Sequence, residues 1–148
     1  MKFIRQMSVW LVAGLLGACS SVPYAQRTSE RQMAYAAAAG APVRSFHFFS
    51  LYSWEPLGDS QLAVYTHPNR AWLLDLDGSC QDLEFTSSIG LTSSINEVMV
   101  RFDKVLTGHH NFPCTIMQIR PVDVKQLKAT RQQQRKISTQ PRPADAHG

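Results

Sequence analysis

Residues 60–77 read SQLAVYTHPNRAWLLDLD, and this stretch decides the class of fold. From Ser60 to His67, Leu62, Val64 and Thr66 alternate with Ala63 and Tyr65; from Arg70 to Asp77, Trp72, Leu74 and Leu76 alternate with Ala71, Leu73 and Asp75. A period of two sends successive side chains to opposite faces, which is strand geometry. Pro68-Asn69 between the runs supplies a turn, because proline presets φ and asparagine tolerates left-handed backbone. The pair predicts an antiparallel hairpin with one face buried and the other partly so.

Outward from the hairpin the texture persists. Val43 to Leu51, Cys80 to Phe85, Glu97 to Phe102 and Pro113 to Pro121 are short β-branched and aromatic runs broken by turn formers, and each predicts a strand. Arg101 and Asp103, two apart, are expected on one strand face, paired with charged neighbours. With no amphipathic helices between strands, parallel crossovers are excluded. The expectation is a mainly β fold, a small antiparallel barrel or sandwich of about five to six strands. One short C-terminal helix is predicted from Val124 to about Arg131, with Asp123 as its N-cap and little surface to dock it.

Composition divides the rest of the chain. Lys2 and Arg5 precede an apolar run, Met7 to Leu16, in the charged-then-apolar order of a secretory signal; the run is too short to span a membrane. It ends Leu16-Gly17-Ala18-Cys19, which resembles the bacterial lipobox, whose cysteine carries two or three acyl chains after cleavage in front of it. Two chains suffice for stable anchoring, each buried methylene contributing about 0.8 kcal/mol. Ser20 after the cysteine, in place of aspartate, favours the outer membrane by resemblance to Gram-negative sorting. Four segments are expected: a lipoprotein signal peptide (1–18), a lipid-anchored flexible spacer (19–42), the β domain (43–128) and a disordered basic tail (129–148). In the spacer Arg31 to Ala39 favours helix, yet offers no bulky apolar stripe to dock it.

Charge follows the same division. The β domain holds seven Lys/Arg against nine Asp/Glu, and the tail four against one. A basic tail without interleaved aromatics argues against nucleic acid as a partner. With Cys19 acylated, Cys80 and Cys114 are the remaining thiols, and beyond an export signal they are expected to form a disulfide. The competing readings are a metal site joining Cys114 to His109 and His110, and a reactive thiol; no metal or cofactor is expected.

Catalytic patterns are sparse. Asp75-Leu76-Asp77-Gly78 opens like a calcium loop, but its twelfth position is Thr86 where a bidentate glutamate is needed. Neither a phosphate-cradling glycine loop nor a nucleophile elbow occurs. Acid–base work would require Asp75, Asp77 or Glu84 to converge with Asp103. The aromatics are dense, and Phe46-His47-Phe48-Phe49 cannot bury every ring on one side of a strand. The aromatics are expected mainly in the core, and the one hint of a ligand or partner surface is placed around His47, Tyr65 and Trp72.

The middle of the chain resembles a family of small proteobacterial lipoproteins and secreted proteins that share an uncharacterised domain. The resemblance covers about Phe46 to Val122. It rests on the order of Trp54-Glu55-Pro56-Leu57, Asn69-Arg70-Ala71-Trp72-Leu73-Leu74, Cys80-Gln81-Asp82-Leu83, Ile89-Gly90, Arg101-Phe102-Asp103-Lys104-Val105, Cys114-Thr115-Ile116 and Ile119-Arg120-Pro121. Many members look to have four cysteines; here the first and third are absent, near Phe46 or His47 and near Val98 or Met99. Their joint absence implies that those two pair with each other and that Cys80 pairs with Cys114. The resemblance carries a fold and no activity.

The expected function is that of a membrane-anchored periplasmic lipoprotein, non-enzymatic, on the outer membrane, binding an envelope protein or component. The alternatives are a small-ligand binder using the barrel interior, with a cavity bordered by His47, Tyr65 and Trp72, and an enzyme whose acid, histidine and arginine side chains meet in a cleft.

Overall fold

A computed structural model describes residues 22–108 and 112–139. Among them the chain order is α1 (Tyr24–Ala38), β1 (Ser45–His47), β2 (Ser53–Pro56), β3 (Gln61–His67), β4 (Arg70–Leu76), β5 (Gly90–Leu91), β6 (Glu97–Met99), β7 (Lys104–Leu106), β8 (Cys114–Val122) and α2 (Val124–Thr139). The fold is mainly β and every strand pairing is antiparallel. Six strands form a curled half-barrel in the order β2-β3-β4-β8-β7-β5, and β1 and β6 form a separate ribbon. Residues 1–21, where the signal peptide and the lipidated Cys19 were expected, His109, His110 and the last nine residues of the tail lie outside the described residues.

The hairpin is as its alternation predicts, turning at Pro68-Asn69, with a register shift between Tyr65 and His67. Its two faces feed two cores. Leu62, Val64, Leu74 and Leu76 point into the curl of the sheet with Ile116, Ile119, Val105 and, from the ribbon, Phe46 and Val98. Ala63, Ala71 and Leu73 point the other way, under the helices. The second face is buried at Ala63, Ala71 and Leu73 and half-exposed at Tyr65 and Asp75, the partial burial that the alternation predicts.

What covers it corrects the reading of residues 19–42 as a flexible spacer. Helix α1 occupies Tyr24–Ala38 and docks through Ala34, Tyr35 and Ala38, with Tyr35 at 0% exposure. Bulky side chains are not needed for this contact. Ala34 and Ala38 meet a sheet face made of Ala63 and Ala71, and small residues on both sides let helix and sheet approach closely, with Tyr35 filling the remaining depth.

The disordered-tail reading from residue 129 is corrected as well. Helix α2 continues to Thr139 and buries Val124 and Leu127 against the same face. Its N-cap is Asp123, whose Oδ1 accepts the N–H groups of Lys125 (2.9 Å) and Gln126 (3.0 Å). The helices run antiparallel at their junction: Asp123 N–H donates to the Ala38 carbonyl and the Gln126 amide to the Ala37 carbonyl.

Two predicted strands are otherwise. Residues 81–85 form turns, with Asp82 left-handed (φ 57°) and its carbonyl accepting from Phe85 and Thr86, which turns Leu83 into the core. Glu97 to Phe102 stops as a strand at Met99, and Arg101 (φ 63°) sits in a turn. Asp103 closes that turn, buried, accepting from the Met99 N–H and the Thr92 hydroxyl at 2.7 Å each. Arg101 and Asp103 therefore share no strand face. Strands β2, β5 and β7 were not predicted; the last two are only two and three residues long, below what alternation can reveal.

Candidate functional site

Tyr65 and Trp72 belong to opposite faces of the hairpin, since Trp72 stands opposite Val64 and Tyr65 opposite Ala71. Trp72 packs on the curl side, stacked on Phe46 with ring centroids 4.9 Å apart and planes 17° from parallel. Tyr65 lies under the helices, its hydroxyl 2.7 Å from that of Tyr35. His47 is exposed on the ribbon, 3.9 Å from Glu97. The expected single surface of His47, Tyr65 and Trp72 does not exist. Period-two geometry already separates Tyr65 from Trp72 once the hairpin register is known.

His47 borders a different concavity, whose lining includes neither Tyr65 nor Trp72. This concavity, of about 180 Å³, lies between the β1–β2 connection and the end of the hairpin, walled by Phe48 and Phe49, with His47, His67 and Arg70 around it. Thr66 lines it. That residue is 6% exposed, and its hydroxyl has no hydrogen-bond partner among the described residues. A buried hydroxyl left unpaired is costly, so it is a natural anchor for an acceptor or donor entering from outside. Phe49 is 92% exposed, which leaves an apolar ring beside the opening.

A second cluster, missed at the level of sequence, joins both helices to the sheet. Glu55 on β2 is its centre. Its carboxylate accepts from Tyr35 Oη at 2.6 Å and from Arg131 at 2.9 and 3.0 Å, and lies 3.6 Å from Arg31. Tyr35 gives its proton to Glu55, so Tyr65 donates to Tyr35, making a chain Tyr65 to Tyr35 to Glu55. Arg131 also lies over the Tyr35 ring, 5.0 Å from the centroid.

Burial, reinforced by the hydrogen bonds to Glu55 and Tyr65, pushes the Tyr35 phenol far above its ordinary range. Burial alone would lower the Arg131 guanidinium, but hydrogen bonding and attraction to Glu55 outweigh it and raise it. A phenol so held keeps its proton, and the guanidinium keeps its charge. The cluster therefore clamps α1, α2 and β2 together and is not poised for proton transfer. Helix α1 also carries Tyr24 and Met33, which stay exposed, so nothing in its linear order singled out Tyr35.

Three further acids are engaged separately. Asp75 pairs with Arg120 at 3.0 Å and accepts from Gln61 at 2.6 Å, Glu84 accepts from Tyr24 at 2.9 Å, and Asp103 holds its turn. Asp75, Glu84 and Asp103 thus do not converge. Among the described residues no group of three or more His, Cys, Asp and Glu side chains is placed to hold a metal ion. The sulfurs of Cys80 and Cys114 are at bonding distance, 2.01 Å, with Cα atoms 5.6 Å apart. Phe46 stands directly opposite Val98 in the β1–β6 register, so the two places where the resemblance implied a further cysteine pair are cross-strand neighbours.

No curated protein and no solved structure matches this chain. A family model does, over residues 1–138, which includes both helices as well as the sheets. The chain thus belongs to a family of unknown function, DUF6491.

Proposed function

We propose that this protein is a lipid-anchored binding domain, acylated on Cys19 after loss of residues 1–18, carried on the periplasmic face of the outer membrane, and engaging an envelope component without catalysing a reaction. The carrying observation is the docked helix. Helix α1 begins at Tyr24, five residues after Cys19, and is clamped to the β domain through Tyr35. Five residues span at most about 18 Å, so an acylated Cys19 holds the domain against the bilayer without a long stalk. The proposal predicts that a Cys19→Ser chain is lost from the membrane fraction and that the wild-type mature N-terminus carries a diacylglyceryl mass. Equal membrane recovery of both forms refutes the anchor.

A second reading, a small-ligand binder, is favoured by one observation: the unpaired Thr66 hydroxyl in the concavity beside Phe48, Phe49 and Arg70. The occupant would be small and apolar with one anionic or acceptor group, such as an aromatic or short-chain carboxylate. Titration of such acids against tryptophan fluorescence tests it. Binding that is lost in Thr66→Val supports this reading, and binding unaffected by that change counts against it.

A further inference from the structure

The two helices bring positive charge to one place. Residues 124–139 contain Lys125, Lys128, Arg131, Arg135 and Lys136 and no acid. Val124 and Leu127 face the sheet, and Lys125, Lys128 and Lys136 are exposed to solvent. Because α1 and α2 are antiparallel, the C-terminal half of α2 lies beside the start of α1. There a groove of about 410 Å³ is lined by Tyr24, Arg27, Arg31, Arg131 and Gln134, with Glu30 as its one acid. On the other flank of α2 a concavity of about 290 Å³ is lined by Lys128, Arg131, Gln132 and Arg135. Arg31 and Arg131 are given to Glu55, Glu30 accepts from Gln26 at 3.1 Å, and Lys128 donates to the Asn69 amide oxygen at 3.3 Å, an exposed contact that a phosphate can replace.

We infer that this end of the helix pair is a docking surface for anionic phospholipid headgroups, with Arg27, Lys128 and Lys136 as its phosphate contacts. The inference rests on the anchored reading above. Two observations select this occupant: charge complementarity, and the short distance to Cys19. Attraction between basic side chains and an anionic surface decays within a Debye length, about 8 to 10 Å, so it acts only on a face held near the bilayer. The basic end of the helix pair adjoins Tyr24, five residues from the acylation site. Arginines supply planar, two-pronged donors to phosphate, lysines supply compact charges, and the exposed Tyr24 ring suits the headgroup level.

The test uses the protein isolated from membranes and returned to vesicles of phosphatidylcholine alone or with phosphatidylglycerol. Flotation with phosphatidylcholine reads the anchor by itself, and failure to float there overturns the anchored reading. Amine labelling followed by mass spectrometry then reads the basic face. Lys128 and Lys136 should be labelled several-fold more slowly with phosphatidylglycerol, the protection should vanish at about 0.5 M salt, where the Debye length is down to about 4 Å, and exposed Lys104 on β7 should not change. Equal labelling of Lys128 and Lys136 in both vesicles overturns the inference and leaves the anchor standing, as does protection that persists unchanged in high salt. Protection that appears only on adding an envelope protein assigns the face to that partner and likewise overturns it.

Discussion

Breaking the Cys80–Cys114 bond should lower stability by about 4 kcal/mol. The cysteines are 34 residues apart, and the chain-entropy relation for a closed loop of that length gives about 3.8 kcal/mol at 25 °C. The chain so closed contains β5, β6 and β7, so the bond ties the base of the excursion that supplies one sheet edge and half of the ribbon. Urea unfolding followed by tryptophan fluorescence, with and without reductant, measures the effect. With a denaturant slope of about 1.5 to 2 kcal/mol/M the midpoint should fall by about 2 M on reduction. Cys80→Ala with Cys114→Ala should lose somewhat more, because both side chains are buried in the curl. Hydrogen exchange should quicken in β5–β7 before β3–β4. Coincident midpoints in oxidised and reduced protein would refute the reasoning, since they would mean that the 34-residue loop is already constrained when unfolded.

Tyr35 makes stability depend on alkaline pH. Its folded pKa is raised, so its contribution is complete below the unfolded value near 10 and declines above it, by about 1.4 kcal/mol per pH unit as the unfolded phenol ionises. Denaturant titrations from pH 9 to 11.5 should show this decline, and subtracting those of Tyr35→Phe isolates it; parallel curves for the two proteins count against the burial assigned here. Glu55→Ala removes the shared acceptor of Tyr35 and Arg131 and should cost about 1 to 3 kcal/mol, with Glu55→Gln milder; two changes within about 0.5 kcal/mol of wild type would show that the clamp contributes nothing. Leu127 is 1% exposed, and Leu127→Ala should destabilise by about 2 to 4 kcal/mol, whereas a frayed tail would tolerate it without change. Phe46→Cys with Val98→Cys should crosslink on oxidation, read as the absence of added free thiol, because the two positions are directly opposite in the ribbon; persistent free thiols refute that register.

Much of the β architecture was legible in residues 60–77. Alternation and Pro68-Asn69 specify a hairpin by themselves, because the side-chain period of a strand is a local property of the backbone. Asp123 was legible as a cap for a similar reason: its carboxylate serves N–H groups only two and three residues away. The candidate sites were less so. Tyr65 and Trp72 look alike as exposed-capable aromatics in a linear reading, yet the sheet sends one to the Tyr35 hydroxyl and the other onto Phe46. Thr66 carries no distinguishing mark until the fold buries its hydroxyl.

The sequence by itself determined the hairpin, the antiparallel β class, the cap of the last helix and the pairing of the two domain cysteines. Each depends on neighbours along the chain or, for the cysteines, on the parity of thiols once Cys19 is set aside. Tertiary structure decided that residues 24–38 are part of the domain and that the basic segment after Val122 is a docked helix. The reason is physical: neither segment has an apolar stripe strong enough to declare itself, and each is held by surface that another segment supplies, Ala34 and Ala38 by Ala63 and Ala71, Arg131 and Tyr35 by Glu55. Complementarity between distant segments has no periodicity to read, and here it turns an expected tether into a helix docked on the sheet.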